Sequence, residues 1–312
     1  MTLDELFKSS DTEGSTNPSS PIVLQPDLEA YALSRFDQAV AAGKLIYGPS
    51  TAEIIDDNGF KFELRMAPAA QKKPIISHDA PERKNGKKGN PFLPPNPEEI
   101  VSTVGDHHYL LLNKFSFYRP SLLITTKQYI SQEEALTADD LTALWVVMQN
   151  FSGRYLGIYN CGYHSGSSQG HKHMQIWPYP DEEKLGFRIF PSHATSESLI
   201  ADSIPKIPYK HFVLRLPANA TADTLIQNHD RLLQATRHAQ QQAGSGSAHN
   251  VIISKEWICL IPRRRSGFET GSGVNSGGVT GCAVVTSEAE RQAWISGGPA
   301  AYLKSVAIAL DD

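Results

Sequence analysis

Gly162-Tyr163-His164-Ser165-Gly166-Ser167-Ser168-Gln169-Gly170-His171-Lys172-His173-Met174-Gln175-Ile176-Trp177-Pro178-Tyr179-Pro180 places a loop of small residues directly before three polar side chains spaced two apart. Successive side chains of a β-strand point to opposite faces, so His171, His173 and Gln175 share one face and Lys172, Met174 and Ile176 the other. Burying an unpaired polar group costs about 1–3 kcal/mol. A strand serving only the core would not carry two imidazoles and an amide in one row. With 11 histidines in 312 residues, a chance His-x-His-x-Gln is expected only ~0.02 times. The row reads as a site, and the plain alternative is a pair of surface histidines on an edge strand.

Outward from the row the chain alternates short strands with amphipathic helices. Arg154 to Asn160 reads as the strand that enters the loop, and Tyr109 to Lys114 and Ser121 to Thr126 read as buried strands. Thr137-Ala138-Asp139-Asp140 has the spacing of a capping box before the apolar stripe Leu141, Leu144, Val147, Met148. Towards the N-terminus, Leu28, Tyr31, Ala32, Phe36, Ala39 and Val40 are spaced as a helix that Gly43 would stop. Asp57-Asn58-Gly59 is a hairpin turn signal between Ile54-Ile55 and the alternating Phe60, Phe62, Leu64, Met66. Downstream come a strand at His211 to Leu216, a helix over 222–242, and strands at Asn250 to Ser254 and Trp257 to Ile261. A Gly/Ser loop over 267–281, a strand at Ala283 to Val285 and helices over 287–295 and 299–310 complete the order.

Two segments read as irregular. Residues 9–26 are polar and rich in breakers, so 1–26 is expected to be a flexible tail. Within the Pro/Lys/Asn-rich stretch 67–106, Arg83-Lys84-Asn85-Gly86-Lys87-Lys88-Gly89 reads as a solvated basic loop. The pattern predicts an α+β fold built on an antiparallel sheet with flanking helices, one elaborated domain over 27–312. Its core would be about 27–206, with 207–312 packed on it.

Composition narrows the function classes. A formal charge of −4 and 20% charged residues give no basic footprint for long nucleic acids. No apolar run approaches a membrane span, and the N-terminus lacks the apolar core of a signal peptide. Three widely spaced cysteines, Cys161, Cys259 and Cys282, suit a reducing compartment, so a cytosolic place with nuclear access is expected. Neither a P-loop nor a dinucleotide-binding Gly-x-Gly-x-x-Gly occurs.

Two histidines, a glutamine and a Gly/Ser loop suit phosphoryl chemistry. A neutral imidazole attacks phosphorus through one nitrogen while the other donates its proton to an acceptor. Backbone N–H groups of Ser165 to Gly170, free of bulky side chains, would surround phosphoryl oxygens as an anion nest. Gln175 adds a neutral amide donor. Together these predict nucleotidyl transfer through a phospho-histidine bond. Metal ligation is the rival: His at i and i+2 can bind zinc, but no Cys pair or acidic residue follows at compact spacing. His107 and His108 are read as strand-edge residues, and no protein-bound metal is expected.

Tyr159-Asn160-Cys161-Gly162, Ser165-Gly166-Ser167-Ser168-Gln169 and His171-Lys172-His173-Met174-Gln175 together resemble the fungal diadenosine tetraphosphate (Ap4A) phosphorylases, or ATP adenylyltransferases, of the histidine triad superfamily. Leu111-Leu112-Asn113-Lys114-Phe115, the 131–144 stretch, Lys255 to Cys259, Pro262-Arg263 and Val274-Asn275-Ser276 share the resemblance, which spans roughly 28–290. It implies a histidine-triad-like sheet with His173 as nucleophile, His171 orienting and polarising the site, and Gln175 in place of a third histidine. It further implies phosphorolysis of Ap4A to ADP and ATP through AMP–histidine, reversibly, with ADP or adenylyl sulfate as further substrates. Gln cannot act as a general base for water, whereas phosphate needs no deprotonation. By resemblance Asn160, Gly166, Ser167, Ser168 and Gln169 contact the α-phosphate and ribose side, Asn113 and Lys114 lie by the substrate, and Lys73-Pro74 matches a substrate-binding lysine. Asn275, Ser276 and Gly277 match a further substrate segment, beyond which Cys282 and Thr286 stand where the family has methionine and lysine. The implied partners are a dinucleoside polyphosphate and inorganic phosphate, with Mg²⁺ arriving on the polyphosphate and no bound cofactor. The alternatives are a hexose-1-phosphate uridylyltransferase-like enzyme, which usually carries His-Pro-His and a zinc pair, and a non-catalytic adenine dinucleotide sensor.

Overall fold

The computed structural model describes residues 22–86, 89–267, 269 and 273–311. Leu28, Ala32 and Phe36 are four apart and form the buried stripe of α1 (Leu28–Ala41). β1 (Thr51–Asp57) and β2 (Phe60–Met66) pair antiparallel, and both turn residues are left-handed, Asn58 at φ 55° and Gly59 at φ 90°, as a two-residue hairpin requires. The chain continues through α2 (Pro81–Asn85), β3 (Ile100–Val104), β4 (His108–Leu112) and β5 (Leu122–Thr126). Then come α3 (Ala138–Asn150), with both reciprocal bonds of the Thr137–Asp140 capping box, β6 (Tyr155–Cys161) and β7 (His173–Pro178). β8 (Phe212–Arg215), α4 (Ala222–Gln242), β9 (His249–Ile253) and β10 (Trp257–Pro262) follow. The chain ends with α5 (Ser276–Val279), β11 (Cys282–Val285), α6 (Glu288–Ser296) and α7 (Pro299–Val306).

Eight strands form one antiparallel sheet in the order β3-β4-β5-β7-β6-β9-β10-β8. The α+β architecture with flanking helices is the one expected. The β6–β9 pairing joins the two parts of the chain into a continuous sheet. Strand alternation then sorts the residues by face. Leu110, Ile124, Met174, Ile176 and Val251 pack with Phe36, Leu144 and Leu232 of the helices in one core. On the opposite face Ile158, Trp177 and Ile252 pack with Phe62, Val285 and Trp294 in a second core. The smaller sheet, β1-β2-β11, covers this second face, and its β2–β11 pair is parallel. β7 sits centrally, so His173 and Gln175 look towards the covered face, between elements drawn from both ends of the chain.

Four sequence expectations change. Residues 1–21 of the expected tail lie outside the described residues, but Ile22 and Leu24 pack against the first core. The stretch 67–106 is not all loop: it holds α2 and β3, which the surrounding proline and lysine residues masked. The basic run is not a solvated loop throughout. Lys87 and Lys88 lie outside the described residues, while Arg83 is buried because its guanidinium meets inward-turned acceptors. His108 is likewise no edge residue: it opens β4, is buried, and bonds Asp140 at 2.8 Å.

Candidate active site

The antiparallel register places Thr125 of β5 opposite His173 and Leu123 opposite Gln175, so His173 and Gln175 stand on one face of the central strand. Gln132 holds the backbone there. Its Oε1 accepts His173 N–H at 2.7 Å, and its Nε2 donates to Asn160 O at 2.9 Å and His173 O at 3.3 Å.

The His173 ring has one committed nitrogen. Nδ1–H donates to the backbone carbonyl of His171 at 2.9 Å, which leaves the lone pair on Nε2, and Nε2 makes no bond among the described residues. Burial pushes the His173 imidazole down to about 3 against the opposing pull of that carbonyl, and the positive Lys73 and Arg83 add to the lowering. The ring is therefore neutral at physiological pH and presents Nε2 as a nucleophile. The ring of Phe92 lies 5.3 Å from that of His173.

The His171 ring is fixed differently. Asn90 Oδ1 accepts Phe92 N–H, which turns Asn90 Nδ2 towards His171 Nδ1 at 2.9 Å. Nδ1 is then the acceptor, and His171 Nε2–H donates to Thr126 O at 2.9 Å. Burial holds this imidazole below its ordinary value. What His171 gives to His173 is its carbonyl; its ring is locked by Asn90 and Thr126.

The loop between β6 and β7 carries the complementary donors. The carbonyls of Ser167 and Gln169 accept from Arg83, that of Ser168 from Ile76 N–H, and that of Gly170 from Gln132 N–H. With the carbonyls anchored, the N–H groups of Ser167, Ser168 and Gln169 meet no acceptor among the described residues. That is a nest for an anion. Glycine is required at both ends. Gly166 has φ +87°, and a Cβ there would lie 2.3 Å from Val274 O, while a Cβ on Gly170 would lie 2.5 Å from Arg83 Cα.

Two clefts meet at this loop, sharing Lys73 and Ser168. The larger, of about 450 Å³, is floored by His173 and Gln175 and walled by Phe92, Leu112, Leu123, Asn113, Lys114 and Gln169. The smaller, of about 210 Å³, reaches Gly166, Asn275, Gly278, Thr286, Glu290 and Trp294. Lys73 is part-buried between them, and loss of solvation lowers its ammonium to about 8. Asn113 is held by Ser121 Oγ and Phe115 N–H.

Apart from Asn275, which lines the smaller cleft, the remaining expected site residues stand behind the walls. Ser167 Oγ is buried against Arg83 at 3.1 Å. Asn160 Oδ1 accepts from Asn250 Nδ2, Ser276 N–H and Ser276 Oγ–H, tying β6 and β9 to the start of α5. Asn275 caps α5 by accepting from Gly277 and Gly278 N–H, and a Cβ on Gly277 would lie 2.9 Å from Cys282 O. Sequence reasoning missed Arg83, Asn90, Thr126, Gln132 and Asn250. Each is a single polar residue whose meaning depends on a partner far away in the chain. Among the described residues no group of three or more His, Cys, Asp or Glu side chains is placed to hold a metal ion, and no helix is long and apolar enough to cross a membrane.

Comparison with known proteins fits this geometry. The family model for the Ap4A phosphorylase N-terminal domain matches residues 19–190, and that for the ATP adenylyltransferase C-terminal domain matches 205–309. Diadenosine 5',5'''-P1,P4-tetraphosphate phosphorylase 2 of Saccharomyces cerevisiae is 33% identical over 254 residues, which are 72% of this chain and 76% of that protein. Protein APA1 of the same yeast is 30% identical over 240 residues, 66% and 74% of the two chains. The crystal structure of yeast Ap4A phosphorylase Apa2 in complex with Ap4A is similar with a TM-score of 0.75 at 25% identity, covering 92% of this chain and 99% of that one. Its complex with AMP gives a TM-score of 0.72 at 26% identity, over 91% and 96% of the chains. This chain belongs to the Ap4A phosphorylase family.

Proposed function

We propose that the chain cleaves Ap4A with inorganic phosphate to ADP and ATP, carrying AMP on Nε2 of His173 between the two half-reactions. One observation carries this reading: a neutral imidazole, its Nδ1–H committed to the His171 carbonyl, opens its Nε2 into a cleft beside three backbone N–H groups without acceptors. Nε2 attacks the α-phosphorus, the N–P bond forms, and the bond to the β-phosphate oxygen breaks with its electron pair leaving on ATP. The imidazole becomes cationic in this step, and the His171 carbonyl stabilises that charge through the same hydrogen bond. The amides of Ser167, Ser168 and Gln169 receive the equatorial oxygens. Phosphate then attacks the same phosphorus, the N–P bond returns its pair to Nε2, and ADP leaves.

The two clefts suit the two ends of a dinucleotide. The larger takes the adenosine of the transferred AMP against Phe92, Leu112 and Leu123, and Lys73, at the junction, meets the polyphosphate. The smaller, with Asn275 on its wall, takes the distal end. Gln175 offers an amide and no base, which favours an acceptor already anionic over water. Mg²⁺ enters on the polyphosphate and neutralises part of its charge. Three free, buried thiols support a reducing cytosolic place, with nuclear access.

Incubation of Ap4A with and without inorganic phosphate tests the reading. With phosphate, ADP and ATP should appear continuously and in equal amounts; without it no ADP should form and ATP release should stop at one per chain. Turnover of UDP-glucose with galactose 1-phosphate, with none of Ap4A, would replace this reading by the uridylyltransferase one. Tight binding of Ap4A with no turnover under any acceptor would replace it by the sensor.

A further inference from the structure

The loop of free amides lies between two buried arginines. From one side Arg83, only 3% exposed, donates to Ser167 O at 2.8 Å, Ser167 Oγ at 3.1 Å, Gln169 O at 3.3 Å and Ile76 O at 3.1 Å. From the other, the fully buried Arg263 donates to Ser165 O at 3.3 Å, Asn250 Oδ1 at 2.7 Å and Val274 O at 2.8 Å, and also to Val306 O and Arg265 O. All these acceptors are neutral.

A buried guanidinium normally has a carboxylate beside it, because desolvating a charge costs several kcal/mol. Arg263 has none among the described residues. The carboxylate nearest Arg83 belongs to Glu133, 3.7 Å away and about half exposed. Carbonyl acceptors satisfy the N–H groups but cancel no net charge. The charge of Arg263 is therefore left uncompensated behind the loop and that of Arg83 only partly offset by Glu133, and burial accordingly lowers Arg263 to about 9 and Arg83 below the ordinary arginine value, with Glu133 opposing the latter. The Nε–H of Arg83 is buried and meets no acceptor among the described residues.

We infer that Arg83 and Arg263 are positioning residues for the phosphate-binding loop: they hold its carbonyls away from the cleft, aim its amides into it, and keep an uncompensated positive charge that an incoming phosphoryl group completes. The inference rests on the AMP-transfer reading and deepens it. It gives the basic run at 83–89 a function through the deeply buried Arg83. It also accounts for the packing of Gly170, where a Cβ would collide with the Arg83 backbone. The guanidinium is suited to the task because its planar fork reaches the carbonyls of Ser167 and Gln169, on either side of Ser168, which a lysine cannot do.

If the arginines act on phosphate and not on the fold at large, removing one should weaken AMP and spare adenosine. Calorimetric binding of both ligands to the full chain measures this. Arg83→Gln keeps an amide donor but loses the charge, and should weaken AMP about thirtyfold while adenosine changes by less than about threefold. Arg83→Lys keeps the charge but not the fork, and should recover only part of the loss, leaving AMP about tenfold weaker than in wild type. Parallel weakening of both ligands, or unchanged AMP affinity in Arg83→Gln, overturns the inference. Should Arg83→Gln not fold, Arg263→Lys, which cannot span the Ser165 and Val274 carbonyls, should lower the AMP-to-adenosine affinity ratio about tenfold, and an unchanged ratio is the contrary result. A wild-type chain that binds adenosine but not AMP would instead remove the AMP-transfer reading itself.

Discussion

β7 and the residue before it present two polar surfaces built on opposite terms. On the cleft side stand His173 and Gln175, with an open Nε2 and the free amides of the adjoining loop. On the helix side Lys172 is 1% exposed, and its Nζ donates to Asp140 Oδ2 at 3.0 Å and Ala135 O at 2.9 Å, while Asp140 Oδ1 pairs with His108. Behind the strand every charge meets its opposite; in front of it, polar capacity is left for something that arrives. The paired surface fixes where the strand lies against α3, and the open one uses that fixity, since the His171 carbonyl must stay aimed at His173 Nδ1. Stability and reactivity should therefore separate according to which side of the strand is altered.

The largest separation is expected from His173→Ala. Transfer should fall by at least about 10³-fold, as loss of a covalent nucleophile does, with unfolding free energy little changed in urea titrations. Lys172→Met is its mirror image. Stranding Asp140 should cost about 3–5 kcal/mol in the same titrations, while the AMP-to-adenosine affinity ratio stays at the wild-type value. Burial opposes ionisation of Asp140, but His108, Lys172 and the Thr137 backbone outweigh it and hold its carboxyl below the usual range. The stabilisation from Asp140 is thus complete above the ordinary carboxylate range and is lost as pH falls below it, which acid titrations of wild type and variant would resolve.

A smaller effect concerns Lys73. Only its ammonium attracts polyphosphate, so affinity for Ap4A should weaken as pH rises through about 8, by up to about tenfold per pH unit. Lys73→Arg should move that limb upward, out of the measured range. The formation of AMP–histidine should meanwhile show no acid limb near the ordinary imidazole value, because His173 is already neutral well below it. Smallest is Asn90→Ala, which frees one nitrogen of the His171 ring. Losing that buried hydrogen bond should slow AMP transfer about fivefold, and an effect as large as that of His173→Ala would show that the His171 ring takes a direct part.

What could be read from the sequence follows from how local each signal is. The Thr137 capping box, the Asn58-Gly59 hairpin and α4, which has the limits expected of it, depend on residues within a turn or two of each other. His173 and Gln175 were legible because strand alternation alone puts them on one face. β3 was not, since its pairing with β4 shifts register between Ile100 and Ser102 and its flanks are rich in proline. Arg83 looked like its lysine neighbours, and only the carbonyls of a loop that follows much later in the chain make it a buried residue. Asn90, Gln132 and Asn250 are single amides with no local pattern, and they acquire roles only when the fold brings β6, β7 and β9 together. The parallel β2–β11 pair joins strands from opposite ends of the chain, beyond any local rule.

The central claim is that Nε2 of His173 accepts AMP. Incubating the chain with Ap4A labelled at the α-phosphate, without inorganic phosphate, and mapping the acid-labile label by mass spectrometry tests it most directly. The account predicts one AMP per chain on the peptide holding His173, discharged as ADP when phosphate is added. A chain saturated with Ap4A that carries no label, or carries it elsewhere, would contradict it.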